Sequence, residues 1–216
     1  MNDLIIIGAS GFGREVAWLV ERINIKVPSW RVLGFLDDAD DIQGKEINGY
    51  PVLGKTDRAY DYEDAYYVCA IGASNIRKKL IGKIKRENKN VRFATLIDPS
   101  VECSEYVEIG EGTIICAHSI VTVNVRIGDH VIINLDCTVG HDAILGDYVT
   151  LYPSVNISGS VIVDHTTEIG TGTQVIQGIS IGNNIIVGAG AVVVGDIYEY
   201  GTYIGVPARK RILEKR

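Results

Sequence analysis

The sequence predicts a chain in two parts, α/β at its N-terminus and all-β beyond, and three observations carry that prediction. Residues 1–90 alternate strand-like apolar runs with segments of helical periodicity. From Ile109 to Val193 every sixth residue is aliphatic, fifteen times without a slip. Glycine makes up 24 of 216 residues, about 11% against a usual level near 7%. Alternating strands and helices imply a parallel sheet. A six-residue repeat implies units that bury their apolar face only by stacking, which is the pattern of a parallel β-helix.

In the first part, Leu4–Ile7 reads as a strand that ends at the cluster Gly8-Ala9-Ser10-Gly11-Phe12-Gly13. Arg14–Ile25 follows with apolar residues at Val16, Ala17, Leu19, Val20 and Ile23, the spacing of an amphipathic helix. A second strand, Val32–Leu36, ends in Asp37-Asp38. A third, Tyr66–Ile71, ends at Gly72 and leads into a basic helix from Asn75 to Arg86. The small Rossmann-like parallel βαβ domain that results, residues 1–90, places any ligand beyond the carboxyl ends of its strands.

Residues 91–216 form the second domain, a parallel β-helix with a C-terminal cap. Each hexad supplies a short strand with two inward residues, the aliphatic one and the residue two before it, as at Val125 and Ile127. A corner follows, and glycine, asparagine or aspartate after the aliphatic residue (Gly110, Gly128, Asn134, Gly140, Gly146, Gly170) suggests a backbone of positive φ there. Three hexads close one coil, so residues eighteen apart stack at the strand spacing of about 4.8 Å. The period leaves the hand of the helix open. Tyr198, Tyr200 and Tyr203 are placed to cap the prism.

Composition narrows the function. The net charge is −6 and the cations are scattered, which argues against nucleic acid. No apolar run is long enough to span a bilayer, and Leu4–Ile7 is too short for a signal-peptide core, so the expected compartment is the cytoplasm. The four cysteines, Cys69, Cys103, Cys116 and Cys137, form no CxxC pair and read as small buried residues. No metal is expected: of His118, His130, His141 and His165 no two are separated by a multiple of eighteen, so none stack on one corner.

His141 is the candidate base. It lies at a corner, Asp142 follows it, and Gly159 stacks above it with a backbone N–H and no side chain. An imidazole, a carboxylate to orient it and an amide aimed at a developing oxyanion are what acyl transfer to an amine or hydroxyl requires. A solvated corner histidine is the plainer alternative. In the N-terminal loop, the amides that open the helix suit a phosphate, and Asp37 or Asp38 could accept hydrogen bonds from a base or ribose. The loop spacing is GxxGxG and not the GxGxxG of dinucleotide sites. Arg14, Arg77 and Lys78 are candidates to balance a pyrophosphate, and a purely structural turn is the alternative.

The chain resembles the PglD/NeuD-type sugar acyltransferases in Gly8–Gly13, Phe35-Leu36-Asp37-Asp38, Ala70-Ile71-Gly72 with Ile76-Arg77-Lys78-Lys79, Val139-Gly140-His141-Asp142 and Gly205-Val206-Pro207-Ala208-Arg209, which fall in that family's order. The resemblance implies a left-handed β-helix of the hexapeptide-repeat kind and a homotrimer with acetyl-CoA between neighbouring β-helices. It makes His141 the general base, Asp142 its carboxylate partner and Gly159 the oxyanion contact. It places coenzyme contacts at Thr150, Thr171 and Ala189, and a nucleotide sugar at Ser10, Gly11, Phe12, Asp37, Asp38 and Gly72. Phe12 and Thr150 stand where relatives carry histidines. The implied activity is acetyl-CoA-dependent N-acetylation of a nucleotide-linked amino-deoxysugar in glycan biosynthesis. The alternatives are O-acetylation of a sugar of sialic-acid type and a non-catalytic trimeric nucleotide-sugar scaffold.

Overall fold

The computed structural model describes residues 1–62 and 64–211, which divide into two compact units, Met1–Pro99 and Ser100 onward. In the first unit, strand β1 (Asn2–Ile7) leads into helix α1 (Gly11–Lys26) and β2 (Trp30–Leu36). The short strand β3 (Glu46–Ile47) and β4 (Tyr50–Gly54) follow, then β5 (Tyr66–Cys69), helix α2 (Ser74–Glu87) and β6 (Arg92–Phe93). The sheet order is β3-β4-β2-β1-β5-β6, and all neighbours are parallel except β3 and β4. Leu4, Ile5, Ile6 and Ile7 of β1 are fully buried at its centre. A strand covered on both faces reads as a continuous apolar run, which is why β1 shows no alternation.

Several boundaries differ from the sequence expectation, and two of them shape the loops. Helix α1 begins at Gly11 and not Arg14, because the glycine cluster supplies the helix's first turn, with Ser10 at the N-cap. Gly13 is fixed there by contact: a Cβ on it would lie 2.0 Å from the carbonyl oxygen of Gly8. Strand β5 ends at Cys69, so Ala70-Ile71-Gly72 is loop. The first unit extends to Pro99 because Arg92–Phe93 pairs with β5 and Asp98 forms a two-pronged ion pair with Arg22 of α1.

The second unit is a left-handed parallel β-helix of two-residue strands on three faces. Every strand from Glu108–Ile109 to Val192–Val193 ends on one of the fifteen aliphatic residues. Register steps by eighteen, as in Thr138↔Asn156 and Val139↔Ile157. The inward pairs, among them Val125 with Ile127, Val131 with Ile133 and Val161 with Val163, are buried and fill the prism.

The corner chemistry differs from expectation. Positive φ falls three residues after the aliphatic position, at Gly112, His118, Asn124, His130, Asp136, Asp142, Tyr148, Ser154, Ser160 and Thr166. The glycines directly after the aliphatic residue have no positive φ. They are small because the next coil presses on them: a Cβ on Gly140 would lie 2.6 Å from the Gly159 nitrogen, and one on Gly170 2.6 Å from that of Ala189. At the C-terminus, Thr202–Ile204 pairs with Ile186–Val187 and folds back on Arg209–Lys210. Tyr203 belongs to that strand, whereas Tyr198 and Tyr200 are solvent-exposed and do not plug the prism.

Candidate functional site

The first unit holds a cavity of about 490 Å³ at the carboxyl ends of its strands. Gly8 follows β1, Asp37 and Asp38 follow β2, Thr56 follows β4, and Ala70, Ile71 and Gly72 follow β5; all of these line it. Ser10 and Phe12 form the side nearest the start of α1. Gly11 is exposed and borders a separate shallow depression with Arg14, Glu15, Trp18 and Asn48.

The two aspartates are fasteners of this cavity. One carboxylate oxygen of Asp37 accepts the Ala9 N–H at 2.8 Å and the other accepts the Ala39 N–H at 2.9 Å. Asp38 Oδ1 accepts both the N–H and the hydroxyl of Thr56 at 2.8 Å. The carboxylates thus tie three loops together.

The cations also fall differently from the sequence reading. Arg77 is 1% exposed, and its guanidinium donates to the carbonyls of Ile71 and Gly72 at 2.6 and 3.0 Å, so it braces the loop. Lys78 and Arg14 do not line the cavity; Lys79 and Lys83 do, with Ile76 and Leu80 between them. Positions 76, 79, 80 and 83 are one face of a helix, a signal that was present in the sequence of α2.

The second unit carries a different arrangement at the corner between Thr138–Val139 and Ile144–Leu145. Asp142 sits at φ 59°, which turns its side chain back toward its neighbour, and its Oδ2 lies 2.8 Å from His141 Nδ1. A carboxylate only accepts, so Nδ1 carries a proton, and in the neutral imidazole the lone pair is then on Nε2. Nε2 faces Gly159: a Cβ there would lie 2.4 Å from it. The His141 bond, followed by one from Asn124, holds the Asp142 carboxyl below the usual carboxylate range.

The neighbouring corner shows what an amide at such a position seeks. There the N–H of Glu111 donates to Asp129 Oδ1, that of Asp129 to Asp147 Oδ1, and that of Asp147 to His165 Nδ1, each from a residue to the side chain one coil above. At the His141 corner the residue above is glycine, so no side chain fills the outward space. Thr171 and Ala189 are exposed on another corner, one coil apart, with Gly190 N–H donating to Thr171 O. Thr150 is 1% exposed in a strand between Ile132 and Glu168. Among the described residues no group of three or more His, Cys, Asp or Glu could hold a metal ion, and no helix is long and apolar enough to cross a membrane.

A left-handed β-helix with a histidine, a carboxylate and a glycine stacked on one corner is the arrangement of a hexapeptide-repeat acyltransferase, and the comparisons with known proteins agree. Residues 3–84 match the PglD N-terminal domain family. GDP-perosamine N-acetyltransferase of Escherichia coli O157:H7 is 32% identical over 192 residues, covering 88% of this chain and 85% of that protein. The acetyltransferase domain of PglB from Neisseria gonorrhoeae FA1090, solved with acetyl coenzyme A, superposes with a TM-score of 0.89 at 31% identity, covering 98% of this chain and all of the other. A histidine-to-asparagine variant of perosamine N-acetyltransferase from Caulobacter crescentus, solved with CoA and GDP-perosamine, gives 0.88 at 30% identity over 98% and 97% of the two chains. The chain belongs to the PglD-type sugar acetyltransferases.

Proposed function

We propose that the chain transfers an acetyl group from acetyl-CoA to the amino group of a nucleotide-linked amino-deoxysugar in glycan biosynthesis. The observation that carries this reading is His141, whose Nδ1 is fixed by Asp142 and whose Nε2 looks into the space left by Gly159. In that space Nε2 accepts a proton from the acceptor amine as its nitrogen attacks the thioester carbon. The Gly159 amide donates to the carbonyl oxygen as it gains negative charge, and the departing thiolate takes up a proton. Acetyl-CoA supplies the activated acyl group. The missing Cβ at Gly159 fits a bulky thioester, and the exposed edge at Thr171 and Ala189 suits its pantetheine arm. The relatives solved with CoA and GDP-perosamine support the same pair of substrates.

In the first unit, Lys79, Lys83 and the amides at the start of α1 suit a diphosphate, and Ile76 and Leu80 suit an apolar ring face. Asp37 and Asp38 line the cavity and keep its loops in place. The enzyme works as a homotrimer in the cytoplasm. Outward-facing Ile120, Ile144, Ile162, Ile176 and Val194 are exposed along the β-helix, which suits burial against further copies, and none of the four cysteines is in a disulfide, as a reducing compartment allows.

The test is thiol release from acetyl-CoA with a panel of acceptors: GDP-perosamine, UDP- and dTDP-linked 4-amino sugars, and the matching 4-hydroxy sugars. Turnover with an amino sugar and none with its hydroxy counterpart is the expected result. Acetylation of the hydroxy sugar instead would replace N- by O-transfer, and no turnover with any would favour a binding scaffold. Light scattering that gave a monomer would contradict the trimer.

A further inference from the structure

Corner residues of positive φ stack along the β-helix, and the backbone holds the stack: Asp142 N–H donates to Val123 O, Ser160 N–H to His141 O and Gly178 N–H to Gly159 O. In the column that contains Asp142, the residue directly below is Asn124, at φ 57°. Its Nδ2 donates to Asp142 Oδ1 at 3.3 Å, while Asp142 Oδ2 holds His141 Nδ1 at 2.8 Å. The two carboxylate oxygens therefore have different partners, one below and one beside.

We propose that Asn124 is a positioning residue of the acetyl-transfer site, which fixes the rotation of the Asp142 carboxylate and through it the orientation and tautomer of His141. This rests on the acyltransferase reading above. A carboxylate turns through a broad torsional range at its terminal bond. Asp142 is also exposed, so packing does not restrain it. A donor on its far oxygen does, because the carboxylate plane cannot turn without lengthening one of the two bonds. Relatives of this contact occur on the other corners, where Ser154 Oγ donates to Asp136 and Thr166 Oγ1 to Asn184, but no base is attached to those. On the His141 corner the same stacking contact acquires a catalytic consequence.

Asn124→Asp and Asn124→Gly both tolerate a positive φ, so both retain the corner, and neither retains the donor. Asn124→Asp is nearly isosteric and sets an acceptor against Asp142. The expected result is a kcat lowered about fivefold in Asn124→Gly, the size of one lost hydrogen bond to an exposed charged group, and lowered further in Asn124→Asp, with the KM for acetyl-CoA unchanged in both. Nitrogen-15 spectra of the histidine rings, with His141 assigned by its absence in His141→Ala, read the tautomer without turnover. The unmodified chain should show His141 protonated at Nδ1, and both variants a mixture of tautomers. A kcat within a factor of two of the unmodified chain together with an unchanged His141 spectrum in both variants would overturn the proposal. If the chain turned over no acceptor, the acetyltransferase reading would fail by that result, while the spectra alone would still decide whether Asn124 positions the pair.

Discussion

Gly159 stands one coil above His141, so close that a Cβ on it would lie 2.4 Å from the imidazole Nε2. Glycine at this position leaves the space beside Nε2 free of a side chain. Gly159→Ala should lower kcat about a hundredfold by displacing either the ring or the thioester, since small misplacements of reacting groups carry costs of that order. Nucleotide-sugar affinity, measured by calorimetry, should be unchanged. A variant of undiminished kcat would mean that the acyl group approaches from another side.

The pocket of the first unit separates two kinds of charged residue. Lys79→Ala with Lys83→Ala should weaken the nucleotide sugar about tenfold or more and leave the melting temperature within a degree or two, because both side chains are exposed. Asp37→Ala with Asp38→Ala should weaken it as well, but with a clear fall in melting temperature, because the carboxylates hold Ala9, Ala39 and Thr56 in register. Calorimetry and a thermal melt on both variants make the comparison. Equal melting temperatures in the two variants would contradict the fastening role.

The fold was legible where a periodicity carried it. The six-residue repeat located every strand from Glu108–Ile109 to Val192–Val193, since burial of one face leaves its mark on each coil. The corners were read less well. Glycines after the aliphatic residues suggest positive φ, yet the constraint there is contact with the next coil, and the sequence spells both demands with the same residue. The positive φ positions take glycine, asparagine and aspartate, which tolerate them, but also histidine, tyrosine, serine and threonine, whose own preferences oppose that conformation and which backbone hydrogen bonds between coils hold there. At the sites, His141 with Asp142 and the loop glycines stood out in sequence. Arg77 and Asp37 stood out too, but as recognition groups: a charged residue at a strand end is the same letter whether it meets a ligand or a backbone amide. The Ile76, Lys79, Leu80 and Lys83 face lies in plain helical spacing, but the adjacent Arg77-Lys78 carries the same charge and the spacing alone does not say which face meets the cavity.

Thiol chemistry gives an independent check on the core. Burial pushes the Cys69 thiol up to about 12 and that of Cys137 up to about 11, and Cys116 is buried, whereas Cys103 is exposed. Ellman's reagent at pH 8 should therefore modify at most one thiol of the native chain, and all four after unfolding. Rapid labelling of two or more in the native protein would place a predicted core residue at the surface.

The pairing of His141 with Asp142 persists into acid. The Asp142 carboxyl lies below its usual range because His141 donates to it, so it remains ionised and the pair intact as pH falls through the ordinary carboxylate range. Its contribution is present above the unfolded value and is lost only as pH falls through the lower, folded one. Asp142→Asn removes this charge but leaves the imidazole, and should lower kcat about tenfold, less than loss of the base itself. A loss equal to that of a His141 variant would mean that the carboxylate has the larger role.

In the proposed reaction Nε2 of His141 takes the proton during acetyl transfer. Thiol release from acetyl-CoA, with acceptor and donor both saturating, tests it most directly when His141→Ala is set beside the unmodified chain. The expected result is a kcat lower by about a thousandfold, within the span of a lost general base, and acetyl-CoA affinity unchanged by calorimetry. A His141→Ala enzyme that released thiol within a few fold of the unmodified rate would contradict it.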